Sequence, residues 1–107
     1  MKKNILIVED HELTRFGLKT TFENVDYVEN IFEADSAEAA IDIFNKNNID
    51  IIIMDLGLPN MNGIEATKQI RSSNKDVKIV ILTSHNDEKE VLNSLKAGAN
   101  AYCSKEI

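Results

Sequence analysis

The chain has 107 residues with 43% hydrophobic and 28% charged side chains, a composition of ordinary globular domains that excludes a disordered or low-complexity class. Eighteen acidic against twelve basic residues give a net charge of -6, which argues against direct binding to nucleic acid or to an anionic lipid surface. The single cysteine, Cys103, excludes an internal disulfide, and the absence of a basic-then-apolar leader or an eighteen-residue apolar run makes a cytoplasmic protein the expectation.

In chain order, short apolar runs alternate with amphipathic stretches. The first run, Ile5 to Val8, is followed by Leu13, Phe16, Gly17 and Thr20 at helical spacing. A weaker run around Val28 to Phe32 precedes Ala37, Ala40, Ile41 and Phe44. Asp35 and Ser36, with Glu38 in the following turn, form the start signal of that second helix. The run Ile51 to Met54 precedes Ile64, Thr67 and Ile70, with Asn62 three residues before Glu65 as the cap. Val77 to Leu82 precedes Val91, Leu95 and Ala99, and Gly98 marks the stop. Ala101 to Cys103 is the fifth run. Nearly continuous apolar character in four of the runs predicts strands covered on both faces, with Cys103 buried and inert and Met54 and Met61 in packing roles.

Four strand-helix units and a fifth strand predict an α/β domain built on a doubly wound five-stranded parallel sheet. No helix follows the fifth strand within these residues. One apolar face near the first and fifth strands is therefore expected to lie open, as in a fragment of a longer protein or a chain with a partner there.

The polar residues that end the strands are Glu9 and Asp10, Asp55, Thr83 and Ser84, and Ser104 and Lys105. Right-handed crossovers bring all carboxyl ends of a parallel sheet to one edge, where ligands bind, so Glu9, Asp10, Asp55, Thr83 and Lys105 are expected to converge. A pair of carboxylates at about 4 Å repels by roughly 4 kcal/mol at an effective dielectric near 20, so positive charge must join them. An oxygen-only donor set suits Mg²⁺, and a cation, an amine and a hydroxyl around one carboxylate suit phosphoryl transfer onto that carboxylate. Taken singly, these residues have plainer readings: Asp10 as a helix cap, Asp55 as a turn former, Lys105 as solvated surface, Tyr102 as core. His11 and His85 lack metal-ligand spacing, which argues against a zinc site.

The segments ILIVEDH, IIIMDLGLPNMNG, IVILTSHNDE and GANAYCSKE resemble, in order and spacing, the receiver domain of two-component response regulators over residues 4 to 106. The resemblance implies the flavodoxin-like strand order 2-1-3-4-5, with residues 1–107 as a receiver domain lacking its last helix. It implies that Asp55 is the phosphoacceptor for a sensor histidine kinase, that Mg²⁺ is held by Glu9, Asp10, Asp55 and the backbone carbonyl of Gly57, and that Thr83 and Lys105 contact the phosphoryl oxygens. Thr83 and Tyr102 would relay the change to an output domain or a homodimer contact, and His85 would stand where such domains tune phosphoryl lifetime. The segment VEDHELTRFGL and Lys105 followed by Glu resemble the LuxR/NarL type, whose output is transcriptional. Its alternative is a stand-alone chemotaxis-type receiver acting on a protein target.

Two other classes are disfavoured by the same letters. An Asp-nucleophile, Mg-dependent phosphatase needs a second aspartate where Gly57 stands. A flavodoxin-like FMN carrier needs a hydroxyl-rich loop where Glu9, Asp10 and His11 stand.

Overall fold

Isoleucine and valine dominate three of the runs because their β-branched side chains suit a pleated, doubly covered surface, and the computed structural model shows where each run sits. It describes residues 2–84 and 87–105. The elements are β1 (Lys3–Val8), α1 (Glu12–Glu23), β2 (Val28–Ala34), α2 (Ala37–Lys46), β3 (Ile51–Met54), α3 (Gly63–Ser73), β4 (Lys78–Thr83), α4 (Glu88–Lys96) and β5 (Ala101–Ser104). All strand pairs are parallel and the order is β2-β1-β3-β4-β5, as expected from the family resemblance. Among the described residues no helix is long and apolar enough to cross a membrane.

Alternate residues of each strand supply two cores. Leu6, Val8, Ile52, Met54, Ile79 and Ile81 pack with Ala37, Ala40 and Phe44 of α2 and Ala66 and Ile70 of α3. Ile5, Ile7 and Ile53 form a smaller cluster on the other face, joined by the partly buried Leu18 and Phe22 of α1 and by Val80 and Leu82. The helix starts follow the expected chemistry: Ser36 accepts from the Ala39 amide and Asn62 from the Glu65 amide.

Three expectations need correction. The stripe Leu13, Phe16, Gly17 and Thr20 does not face the sheet; Leu13 and Phe16 are 83% and 63% exposed, and Leu18 and Phe22, one helical turn apart, make the contact instead. Ala99 lies beyond α4, because Gly98 at φ +110° turns the chain out of the helix. Its amide and that of Ala99 return to the carbonyls of Leu95 and Ser94, the paired bonds of a glycine-terminated helix. Cys103 is exposed, because β5 is the sheet edge and only its first two residues are partly covered.

A groove of about 640 Å³ runs between α1 and the ends of β4 and β5, lined by Thr14, Leu18, Leu82, Ser104 and Lys105 among others.

Candidate functional site

The strand order places β1 and β3 side by side at the centre of the sheet, with Val8 paired to Met54 and Met54 to Ile81. The residues that follow must therefore share one rim. Backbone bonds continue past the strands: the Glu9 amide donates to Ala34 O at 3.0 Å and the Asp55 amide to Val8 O at 3.0 Å. These bonds fix both carboxylate-bearing residues to the sheet rather than leaving them on loose loop. Glu9 is 1% and Asp55 6% exposed, while the Asp10 side chain is partly open.

Lys105 follows β5, and its amide donates to Thr83 O at 2.8 Å, which turns the chain back over the rim. Its ammonium pairs with Glu9 Oε1 and stands 3.6 Å from Asp55 Oδ1. Burial raises the Glu9 pKa, but the hydrogen bond from Lys105 and those from the His11 amide and ring outweigh it, and the carboxyl sits below its ordinary value. Thr83 ends β4 at the same rim with its side chain fully buried.

Gly63, the first residue of α3, shows why the loop after Asp55 needs glycine there. A Cβ at this position would lie 2.3 Å from the Asp55 carbonyl oxygen and 3.0 Å from Met54 Cγ. Gly63→Ala must push α3 away from the strand end, so we expect a loss of about 1–3 kcal/mol, measured by urea unfolding. Nearby, Asn60 takes the left-handed region at φ 65°, which asparagine tolerates.

Four of the five expected residues are thus brought together around a shared charge, with Thr83 on the same rim. Gly57 lies on the exposed part of the loop two residues after Asp55. Tyr102 stands apart from the acids, on β5 opposite Ile81 and packed against the larger core. Burial, and then the negative charges of Glu90 and Asp87 at the start of α4, push its phenol pKa up. His85 lies outside the described residues. Asp10 is not the cap of α1; that position belongs to His11, whose side chain makes no cap bond.

Two contributors escaped the sequence reading. The Arg15 guanidinium donates to the Glu9 carbonyl at 2.8 Å and pairs with Glu33 at 3.3 Å, fixing the turn that presents the acids. His11, set aside for want of a second histidine at ligand spacing, joins Glu9, Asp10 and Asp55 in a group whose donor atoms all lie within 4.8 Å of one another. Its place directly after two strand-end acids was the available signal.

The donor set fits a divalent cation. Three carboxylates against one ammonium leave an excess of two negative charges, and the buried Asp10 Oδ1 has no hydrogen-bond partner. Glu9, Asp10 and Asp55 are the residues that would hold the ion, and their hard oxygens match Mg²⁺.

A family model described as the response regulator receiver domain matches residues 5–107. Response regulator UvrY of Escherichia coli is 37% identical over 102 residues, covering 95% of this chain and 47% of the relative. Transcriptional regulatory protein DegU of Brevibacillus brevis is 37% identical over 106 residues, covering 99% of this chain and 45% of the relative. The chain thus spans somewhat less than half the length of these relatives. Among solved structures, a two-component response regulator of the LuxR family from an Aurantimonas species superposes with a TM-score of 0.93 at 33% identity, over 99% of this chain and 76% of that one. A CheY-like receiver domain protein from Methanospirillum hungatei gives a TM-score of 0.92 at 25% identity, over 100% of this chain and 84% of the other.

Proposed function

Because the chain belongs to the response regulator receiver domain family, we propose that Asp55 accepts a phosphoryl group from a sensor histidine kinase and that the resulting charge drives a signalling switch. The observation that carries this reading is the position of the Asp55 carboxylate, buried at the strand end with the Lys105 ammonium 3.6 Å away and two further acids beside it.

In the transfer, an Asp55 carboxylate oxygen attacks phosphorus, the N–P bond of the phosphohistidine breaks, and the nitrogen lone pair returns to the imidazole. Lys105, held beside Asp55 by Glu9, places a positive charge near where the transferred oxygens gain negative charge. A cation held by Glu9, Asp10 and Asp55, with the Gly57 carbonyl, would supply further charge neutralisation at the transferred group. The Thr83 hydroxyl is a donor at the same rim and contacts the new phosphoryl group.

Phosphorylation adds about -1.5 to -2 charge and three acceptor oxygens. Thr83 and Lys105 shift toward them, and Tyr102, two residues before the end of β5, follows the space Thr83 leaves. The reader of that change is an output domain of the transcriptional kind, as the name of the Brevibacillus relative indicates for that protein. The chain is a switch that accepts one group, not a turnover enzyme, and it acts in the cytoplasm.

The test is intact mass after incubation with Mg²⁺ and acetyl phosphate. One phosphoryl adduct is expected on the natural chain and none on Asp55→Asn. An equal adduct on both would move the acceptor to another residue.

A further inference from the structure

The proposed cation site has an unassigned neighbour in His11. We propose that His11 serves as a nitrogen ligand at the acidic rim, so that the site discriminates in favour of divalent ions that accept imidazole, such as Mn²⁺ and Zn²⁺, relative to a rim of oxygen donors alone. This rests on the reading that Glu9, Asp10 and Asp55 hold a cation.

Four observations support it. His11 occupies the N-cap position of α1, where a hydroxyl or carboxamide usually bonds the first helical amides, yet its side chain makes no such bond. The imidazole is instead turned to the acids, with Nδ1 3.1 Å from Glu9 Oε2 and 3.4 Å from Asp10 Oδ1. Adjacent ligands in an octahedron with bonds of about 2.1 Å are about 3 Å apart, so these separations are close to those of neighbouring positions around one ion. Finally, Glu9 Oε1 is taken by Lys105, while Asp10 Oδ1 is buried without a hydrogen-bond partner on the side that Nδ1 approaches.

The chemistry of the ion decides the consequence. Mg²⁺ is hard, keeps several waters and gains little from an imidazole, whereas Mn²⁺ and, more strongly, Zn²⁺ accept nitrogen alongside carboxylate. His11 is 73% exposed at its side chain, so it can close on an ion without displacing any packed group. A bond of this kind would add affinity only for the nitrogen-accepting ions.

The experiment uses the full chain with Mn²⁺ and Mg²⁺ as probes. Pulsed electron paramagnetic resonance of the Mn²⁺-loaded chain should show a directly bound ¹⁴N, absent in His11→Ala. The Mn²⁺ affinity should fall about tenfold in that variant, while Mg²⁺ affinity, from competition, should change by less than about threefold. A ¹⁴N signal that persists in His11→Ala, or Mn²⁺ bound in the natural chain with no ¹⁴N signal, overturns the assignment of His11 and leaves the carboxylate site standing. Asp10→Asn separates the two readings: if it binds both ions as the natural chain does, or if the natural chain binds neither ion, the carboxylate site itself falls, and the His11 assignment with it.

Discussion

Replacement of Lys105 by methionine is expected to lower stability by about 3 kcal/mol near neutral pH, because it leaves the Glu9 carboxylate, 1% exposed, without its cation and Asp55 without a neighbour of opposite sign. The pH dependence fixes the cause. In the natural chain the Glu9 carboxyl titrates below its ordinary value near 4.5, so its contribution is fully present above that value and is lost as pH falls through the lowered folded-state value. In Lys105→Met, burial acts against only the His11 bonds, the folded-state value rises, and the ionised carboxylate costs stability as pH increases. The gap between the two proteins should therefore widen in urea unfolding as pH rises through and beyond the ordinary carboxyl value near 4.5. A gap that does not change with pH would assign the loss to Lys105 packing rather than to charge. Added Mg²⁺ should narrow the gap, since it supplies part of the missing positive charge.

Arg71→Met should be at least as damaging while leaving the phosphoryl chemistry of the folded fraction unchanged. The guanidinium donates to the carbonyls of Gly98 at 3.0 Å, Asn74 at 3.2 Å and Val77 at 2.7 Å, and to Asn100 Oδ1 at 2.8 Å. Asn100 Oδ1 also accepts from the Ile79 amide, so one side chain joins the end of α3, the start of β4 and the turn after α4. Removing it leaves several half-buried acceptors without donors, at about 1–3 kcal/mol for each one that water cannot reach. We expect a net loss of about 3–5 kcal/mol in urea unfolding, with the Asp55 adduct per folded molecule unaltered. Arg71→Lys should recover only a small part, because an ammonium cannot reproduce the planar fork. A lysine variant as stable as the natural chain would show that charge, not the fork, matters.

The fold was largely legible because four runs, Ile5 to Val8, Ile51 to Met54, Val77 to Leu82 and Ala101 to Cys103, have the lengths and apolar character of strands, with helical spacing between them. The convergence of Glu9, Asp10, Asp55 and Lys105 followed from topology alone: parallel strands end on one edge, whatever the side chains do. What topology does not specify is which oxygen meets which nitrogen. That Lys105 pairs with Glu9 more closely than with Asp55 depends on side-chain torsions across three strands. The face of α1 was misread for a related reason, since Leu13 and Phe16 are as apolar as Leu18 and Phe22 and only packing decides between two stripes. Cys103 was placed inside because composition does not mark an edge strand. Arg71 gave no sign at all, as three of its four bonds go to backbone carbonyls, which every residue has.

The order of the strands also sets how readily each part of the rim opens. Amides of β1 and β3 are paired on both sides and covered on both faces, so their exchange with solvent deuterium should approach the limit of global unfolding. Those of β5, paired only to β4 and with Cys103 and Ser104 bare, should exchange by local fraying. The two buried carboxylates therefore stand on a slow-opening part of the chain and the ammonium that serves them on a faster-opening one.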